Sequence, residues 1–179
     1  MQPSHLVKQF LPAMRESRLD GPILDLACGE GRNGLYLAEH GQQVVFADRQ
    51  QGKLDEVAVK LQQNTSVDYW CVDFEQPGTD PLGGRLFSSI LVFRYLHRPL
   101  MPAIKSAVQP GGLVMYETFT TDQAALGRPS NPDFLLQPQE LERVFQHWDI
   151  LHLFEGLSVS ELSGKPQAIA QLVARKPSR

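Results

Sequence analysis

Three carboxylates lie near or just past the ends of short apolar stretches in the first half of this sequence. Asp25 lies in Ile23-Leu24-Asp25-Leu26-Ala27, Asp48 follows Val44–Ala47, and Asp73 follows Val67–Val72. The first is succeeded at once by Cys28-Gly29-Glu30-Gly31-Arg32-Asn33-Gly34. Glycines at such a place permit a tight turn and let backbone come close to a ligand. A helix starting near Arg32 would aim unpaired N–H groups at the same spot, which suits an anionic group. Read as text, Gly29-x-Gly31-x-x-Gly34 also satisfies a dinucleotide fingerprint. Asp25 argues against that reading, because its charge would face a diphosphate without compensation. A carboxylate there suits a ligand that carries a cation, such as the α-ammonium of an amino acid. The helix start and Arg32 would then hold that ligand's carboxylate.

Asp48 stands about 20 positions after Gly29, where a carboxylate can accept both hydroxyls of a ribose. Asp73, in Val72-Asp73-Phe74, is placed to accept from an adenine exocyclic amine. An ammonium, a ribose and an amino-purine read by successive strand ends describe S-adenosylmethionine. The cofactor set expected from this reading is Asp25, Ala27, Cys28, Gly29, Gly31, Arg32 and Asn33 from the turn. Asp48 with Arg49, Asp73 with Phe74, and Phe93 complete it from the next strand ends.

A second group of reactive side chains lies further along. Arg94, Tyr95, His97 and Arg98 follow the apolar run Leu86–Phe93, and offer cations, an aromatic face and a titratable base. His97 is the one side chain there that titrates near neutrality, so it is the first candidate proton acceptor. Glu117 ends another apolar run, Leu113–Glu117, and is the second catalytic candidate. Arg94, Tyr95, Arg98, Phe119 and Arg128 are the candidates for binding an acceptor molecule. Cys28 reads as a small packing residue beside the cofactor, since nothing supplies it with a paired base. His5, His40, His147 and His152 share no ligand spacing and read as structural or surface residues.

The elements that must position these groups alternate. Leu6, Phe10, Leu11 and Met14 recur at helical spacing and predict an amphipathic helix over 3–18, with Pro12 inside it. A strand at Ile23–Ala27 leads into a helix over Arg32–His40, stopped by Gly41 in a left-handed cap. Val44–Ala47 is a strand, and Leu54, Val57 and Leu61 mark a helix. Val67–Val72, Leu86–Phe93 and Leu113–Glu117 are further strands, with a helix over Pro99–Val108 opened by proline. Such alternation predicts a parallel sheet covered on both faces by right-handed crossovers. The stretch 73–85, with its prolines and glycines, leaves little room for a crossover helix. Residues 119–136 form a polar loop long enough to act as a lid. A helix over 138–147 follows, with Leu141, Val144, Phe145 and Trp148 inward. Residues 149–157 and 167–175 form a terminal antiparallel pair.

With these residues in view, the sequence resembles class I S-adenosylmethionine-dependent methyltransferases. Asp25-Leu-Ala-Cys-Gly-Glu-Gly-Arg-Asn is similar to that family's first motif, and Asp48 and Asp73 fall where it has ribose-binding and adenine-binding acids. Tyr95-Leu-His-Arg-Pro-Leu, Pro110-Gly-Gly-Leu-Val-Met-Tyr-Glu-Thr-Phe and Gly127-Arg-Pro-Ser-Asn-Pro-Asp-Phe-Leu-Leu resemble a small bacterial subgroup near the tellurite-resistance-type methyltransferases. The likeness covers roughly 20–148. It implies an α/β, Rossmann-like three-layer sandwich whose mostly parallel, seven-stranded sheet has its last strand antiparallel. The cofactor would lie across the strands' carboxyl ends.

Composition narrows the partners. The chain has 179 residues, one domain's worth, and 42% are hydrophobic, enough for a packed core. A net charge of −3 offers no basic face for nucleic acid, and no second recognition domain is left room. The two cysteines, Cys28 and Cys71, lie in no zinc-ligand spacing. Residues 1–15 lack the uninterrupted apolar core of a signal peptide, and no stretch is long and apolar enough to span a membrane. The expectation is therefore a cytoplasmic enzyme that moves a methyl group from S-adenosylmethionine to a small molecule. A nicotinamide-dependent oxidoreductase and a non-catalytic cofactor-binding module are the rival readings.

Overall fold

The structure is a computed structural model that describes residues 2–16, 19–61 and 66–178. Helix α1 (His5–Glu16) precedes strand β1 (Ile23–Leu26), helix α2 (Arg32–Glu39), strand β2 (Val44–Asp48), helix α3 (Gln51–Lys60) and strand β3 (Val67–Cys71). Strand β4 (Phe87–Phe93), helix α4 (Met101–Ala107), strand β5 (Val108–Phe119), helix α5 (Glu140–Val144), strand β6 (Asp149–Val159) and strand β7 (Pro166–Arg175) complete the chain. The strands form one seven-stranded sheet in the order β3-β2-β1-β4-β5-β7-β6. β1 to β5 run parallel, while β7 pairs antiparallel with both β5 and β6.

Every residue of β1 and β2 is buried, as expected of parallel strands with both faces covered. Alternate side chains therefore feed two cores. On one face Ile23, Phe46, Leu91 and Met115 pack with Leu6, Val7 and Leu11 of α1, Leu37 of α2, and Leu54 and Val57 of α3. On the other, Leu24, Leu26, Ile90 and Tyr116 pack with Met101 and Ile104 of α4 and with Leu141 and Phe145.

The structure revises several boundaries. The N-terminal helix starts at His5 rather than at residue 3 and contains Pro12; residues 17 and 18 of the expected span lie outside the described residues. β5 begins at Val108, which pairs with Phe87; beyond it Gly111, at a positive φ of 81°, donates its N–H to the Lys176 carbonyl, and the Gly112 carbonyl accepts from Lys176 N–H. The helix expected over 138–147 shrinks to Glu140–Val144, opened by Gln139 at φ 60°. No helix joins β3 to β4. There the chain from Val72 to Leu86 folds back with Phe74 and Leu82 buried, leaving a cavity of about 730 Å³ against α4. The 119–136 loop carries two 3₁₀ turns, Thr121–Ala125 and Pro132–Phe134, and a backbone bridge from Thr120 to Leu136 closes it.

Candidate active site

The glycine turn is built around two carboxylates. Asp25 is 3% exposed, and its Oδ2 accepts the Gly34 backbone N–H at 2.8 Å. Its carboxylate thus lies beneath the turn, at the start of α2. A Cβ on Gly34 would stand 2.4 Å from Phe46 Cε1 and 2.7 Å from Asp25 Oδ2, so this glycine exists to let helix approach strand. Burial raises Asp25 to about 7, against the opposing pull of the Gly34 N–H and the Arg32 charge. Asp48 binds the turn from the next strand: Oδ2 accepts from Gly29 N–H and Oδ1 from Gln50 N–H, both at 2.9 Å. Between these anchors Ala27 holds a φ of 52°, a conformation costly for a residue with a Cβ and typical of functional turns.

A cleft of about 190 Å³ opens above these strand ends, lined by Ala27, Asp48, Arg49, Asp73, Phe74 and Tyr95, among others. Each Asp48 oxygen spends one lone pair on backbone, leaving others for a ligand's hydroxyls. Asp73 Oδ1 accepts from Glu75 N–H at 2.9 Å. Tyr95, expected on the acceptor side, lies here instead: its hydroxyl is buried without a hydrogen-bond partner among the described residues. Burial pushes that phenol well up, and the Glu75 and Asp73 charges push it further. Its backbone is fixed by Tyr116, whose hydroxyl donates to the Tyr95 carbonyl at 3.0 Å.

A second recess, about 250 Å³, lies on the α1 side of the sheet, with Arg32, Arg94, Glu117, His152, Gln167 and Gln171 in its lining. Arg94 leaves β4 at φ 57°, and its N–H donates to the Glu117 carbonyl at 2.8 Å. Its Nη2 lies 3.1 Å from Glu117 Oε1 and 3.0 Å from Gln167 Oε1, and its guanidinium stacks over Phe119 at 4.4 Å. Nη1 is buried with no partner among the described residues. Burial lowers the Arg94 pKa, partly offset by the charge of Glu117, itself 4% exposed.

The remaining candidates are dispersed. His97 lines the cavities beside Pro99 and the β3–β4 segment, not the recess that holds Arg94 and Glu117. The Arg98 guanidinium is spent on the loop: it pairs in a fork with Glu140 at 2.7 and 2.9 Å and donates to the carbonyls of Asp133 and Leu135. Arg128 is exposed in a third recess, of about 490 Å³, with Phe119 and Lys165. Asn33 is buried and its Oδ1 accepts the Ser4 N–H at 2.9 Å, tethering the start of α1. Phe93 packs into the core on the α1 face, and Arg49 is exposed at the cleft rim. The Cys28 thiol is half-buried and contacts Gly29 O at 3.7 Å; burial, with Asp25 and Asp48 nearby, raises its pKa, which disfavours a thiolate. Gln50, Glu75, His152, Gln167 and Gln171 enter through the geometry. Of these only Glu75, two residues beyond Asp73, had a signal in the sequence.

A model of the methyltransferase domain matches residues 23–112, from the start of β1 into β5. The chain belongs to the methyltransferase-domain family. The probable S-adenosyl-L-methionine-dependent methyltransferase TehB of Haemophilus influenzae (strain Rd) is 26% identical over 141 residues, which cover 75% of this chain. The chain spans about half the length of that relative, 48% of it being covered. The crystal structure of TehB from the same species superposes with a TM-score of 0.73 at 20% identity, covering 94% of this chain and 62% of that one. The N-methyltransferase NodS from Bradyrhizobium japonicum gives 0.68 at 14% identity, covering 96% and 94%. The glycopeptide N-methyltransferase MtfA, solved with S-adenosyl-L-methionine, gives 0.65 at 15% identity, covering 98% and 95%. The methyltransferase-domain fold therefore extends past the matched segment to the antiparallel β7 and β6.

Proposed function

We propose that this chain transfers a methyl group from S-adenosylmethionine to a small molecule, as one cytoplasmic domain. The observation that carries the reading is Asp48. Its Oδ2 ties the glycine turn to β2, its Oδ1 holds Gln50 at the start of α3, and it still faces the cleft with lone pairs for a ribose. The other residues fit the same ligand. Asp73 Oδ2 is free of the backbone bond that occupies Oδ1, and the orphaned Tyr95 hydroxyl lies in the same cleft as a further polar contact for a purine. The N-terminus of α2 favours a carboxylate and Asp25 beneath the turn an ammonium, whereas the Arg32 guanidinium, expected to hold that carboxylate, lies in the second recess 3.7 Å from Glu161.

S-adenosylmethionine brings a methyl group on a sulfonium, already a good leaving group. The chain's task is therefore alignment of an acceptor in line with it, where orientation supplies about 7–11 kcal/mol of barrier reduction. The 119–136 loop, held to Ala168 through Gln123, and the start of α1, held to Asn33, flank the sheet edge where a closed site would shed water. A small acceptor agrees with the second recess of about 250 Å³ and with a net charge of −3, which disfavours nucleic acid. No helix among the described residues is long and apolar enough to cross a membrane.

Calorimetric titration with S-adenosylhomocysteine and, separately, NADH tests the proposal. Saturable binding of the first alone is expected. Binding of NADH in its place would return the chain to the oxidoreductase reading. S-adenosylhomocysteine binding with no turnover over thiols, phenols and amines would favour a non-catalytic module.

A further inference from the structure

We propose that the recess between α1 and the ends of β4, β5, β6 and β7 binds the methyl acceptor, and that it selects a neutral hydroxyl or N–H group through Arg94 Nη1 and His152 Nδ1. This rests on the methyl-transfer reading, and it assigns the proton acceptor to His152 instead of His97.

The argument follows one hydrogen-bonded chain across neighbouring strands. A carboxylate only accepts, so Glu117 fixes the groups around it. Its Oε1 faces Arg94 Nη2 at 3.1 Å, and its Oε2 accepts from Gln171 Nε2 at 2.7 Å. That contact sets the Gln171 amide, leaving its Oε1 toward His152 Nε2 at 3.2 Å. An amide oxygen cannot donate, so His152 Nε2 carries the hydrogen. A neutral imidazole has a single N–H, so Nδ1 keeps its lone pair. Phe10 of α1 packs edge-on against the ring at 6.0 Å, which restricts its rotation. At the other end of the chain Arg94 Nη1 is a buried donor with nothing to donate to. Arg94 and His152 both line a single recess, and each brings to it a group with no partner named among the described residues. Their complement is a group that both accepts and donates.

Charge decides between a neutral group and an anion. The lining carries two cations, Arg32 and Arg94, and two carboxylates, Glu161 and Glu117, arranged as the pairs Arg32–Glu161 and Arg94–Glu117. The two carboxylates thus match the two cations. An acidic ligand would have to compete with buried Glu117 for Arg94, at a desolvation cost that a neutral group avoids. On methylation, the X–H bond of the acceptor breaks and its proton passes to Nδ1. The pair on X forms the bond to the methyl carbon, and the old carbon–sulfur pair stays on sulfur as a neutral thioether. Glu117, Gln167 and Gln171 act as positioning residues.

Nitrogen-15 spectra of histidine-labelled protein saturated with S-adenosylhomocysteine test this without turnover. The expected His152 signal pair is that of the Nε2–H tautomer; an Nδ1–H tautomer would overturn the proposal. Phenol, a neutral hydroxyl probe, should shift the Nδ1 signal where benzoate does not. Arg94→Met should weaken phenol binding about tenfold and leave the affinity for S-adenosylhomocysteine unchanged. Preference for benzoate, or loss of S-adenosylhomocysteine affinity in Arg94→Met, overturns the assignment, the latter by giving Arg94 to the methyl donor. If the parent protein binds no S-adenosylhomocysteine, the methyl-transfer reading fails, and the tautomer measurement on the free protein still decides the hydrogen-bonded chain.

Discussion

Burial of Asp25 places a titration near neutrality inside the molecule, at about 7 against roughly 4 for an unfolded aspartate. Between those values the folded state binds more protons than the unfolded one, so stability from this group is full below about pH 4 and is lost as pH rises through about 7. Asp25→Asn keeps an oxygen for the Gly34 N–H and removes the buried charge. The variant should gain stability over the parent as pH rises through that window, read by thermal melting. An ammonium ligand would favour the ionised carboxylate, so S-adenosylmethionine binding near neutral pH should release protons, measurable by calorimetry in buffers of different ionisation enthalpy. Asp48→Ala removes the acceptor for Gly29 and Gln50 and, on the proposed reading, for a ribose, and should weaken S-adenosylhomocysteine binding by about 1–3 kcal/mol. The placement of Asp25, Asp48 and Asp73 along one end of the sheet was legible in sequence because each lies near or just past the end of an apolar run that leads into a turn. His152 was not, since its significance depends on Gln171 and Glu117, brought together only by the register of β5 and β7.

At the scale of elements, α2 approaches β2 so closely that Gly34 admits no side chain. Gly34→Ala must displace Phe46 or Asp25 and should cost about 1–3 kcal/mol, seen as a lower melting temperature. Arg98 holds the second half of the 119–136 loop to the start of α5 through a carboxylate fork and two carbonyls. Lysine keeps the charge without the fork, so Arg98→Lys should speed amide hydrogen exchange across 133–140 while leaving the β1–β3 half unaffected. Helices and strands through β4 were readable because period and punctuation agree there. The loop's architecture was not: Gln123, which bonds Ala168 N–H and the Arg128 carbonyl, and Arg98, which reaches Glu140, act over distances that no local pattern records.

Over the whole molecule, the sheet divides chemical labour. The parallel strands β1 to β3 present the carboxylates at one end, and the β5-β7-β6 portion builds a second, polar recess beside them. The missing β3–β4 helix was foreseeable from its prolines and glycines, whereas the 730 Å³ cavity it leaves depends on how Phe74 and Leu82 turn inward. The position of β7 has a consequence for how the protein comes into being. It follows β6 in the chain yet lies inside it in the sheet, so β6 has no neighbour until β7 has been made. As the polypeptide emerges from the ribosome, the nucleoside half can assemble while the outer border of β5 still waits for its hairpin. On the proposed reading, the grip on the methyl source would thus form first, and the place where that methyl is delivered would be finished last.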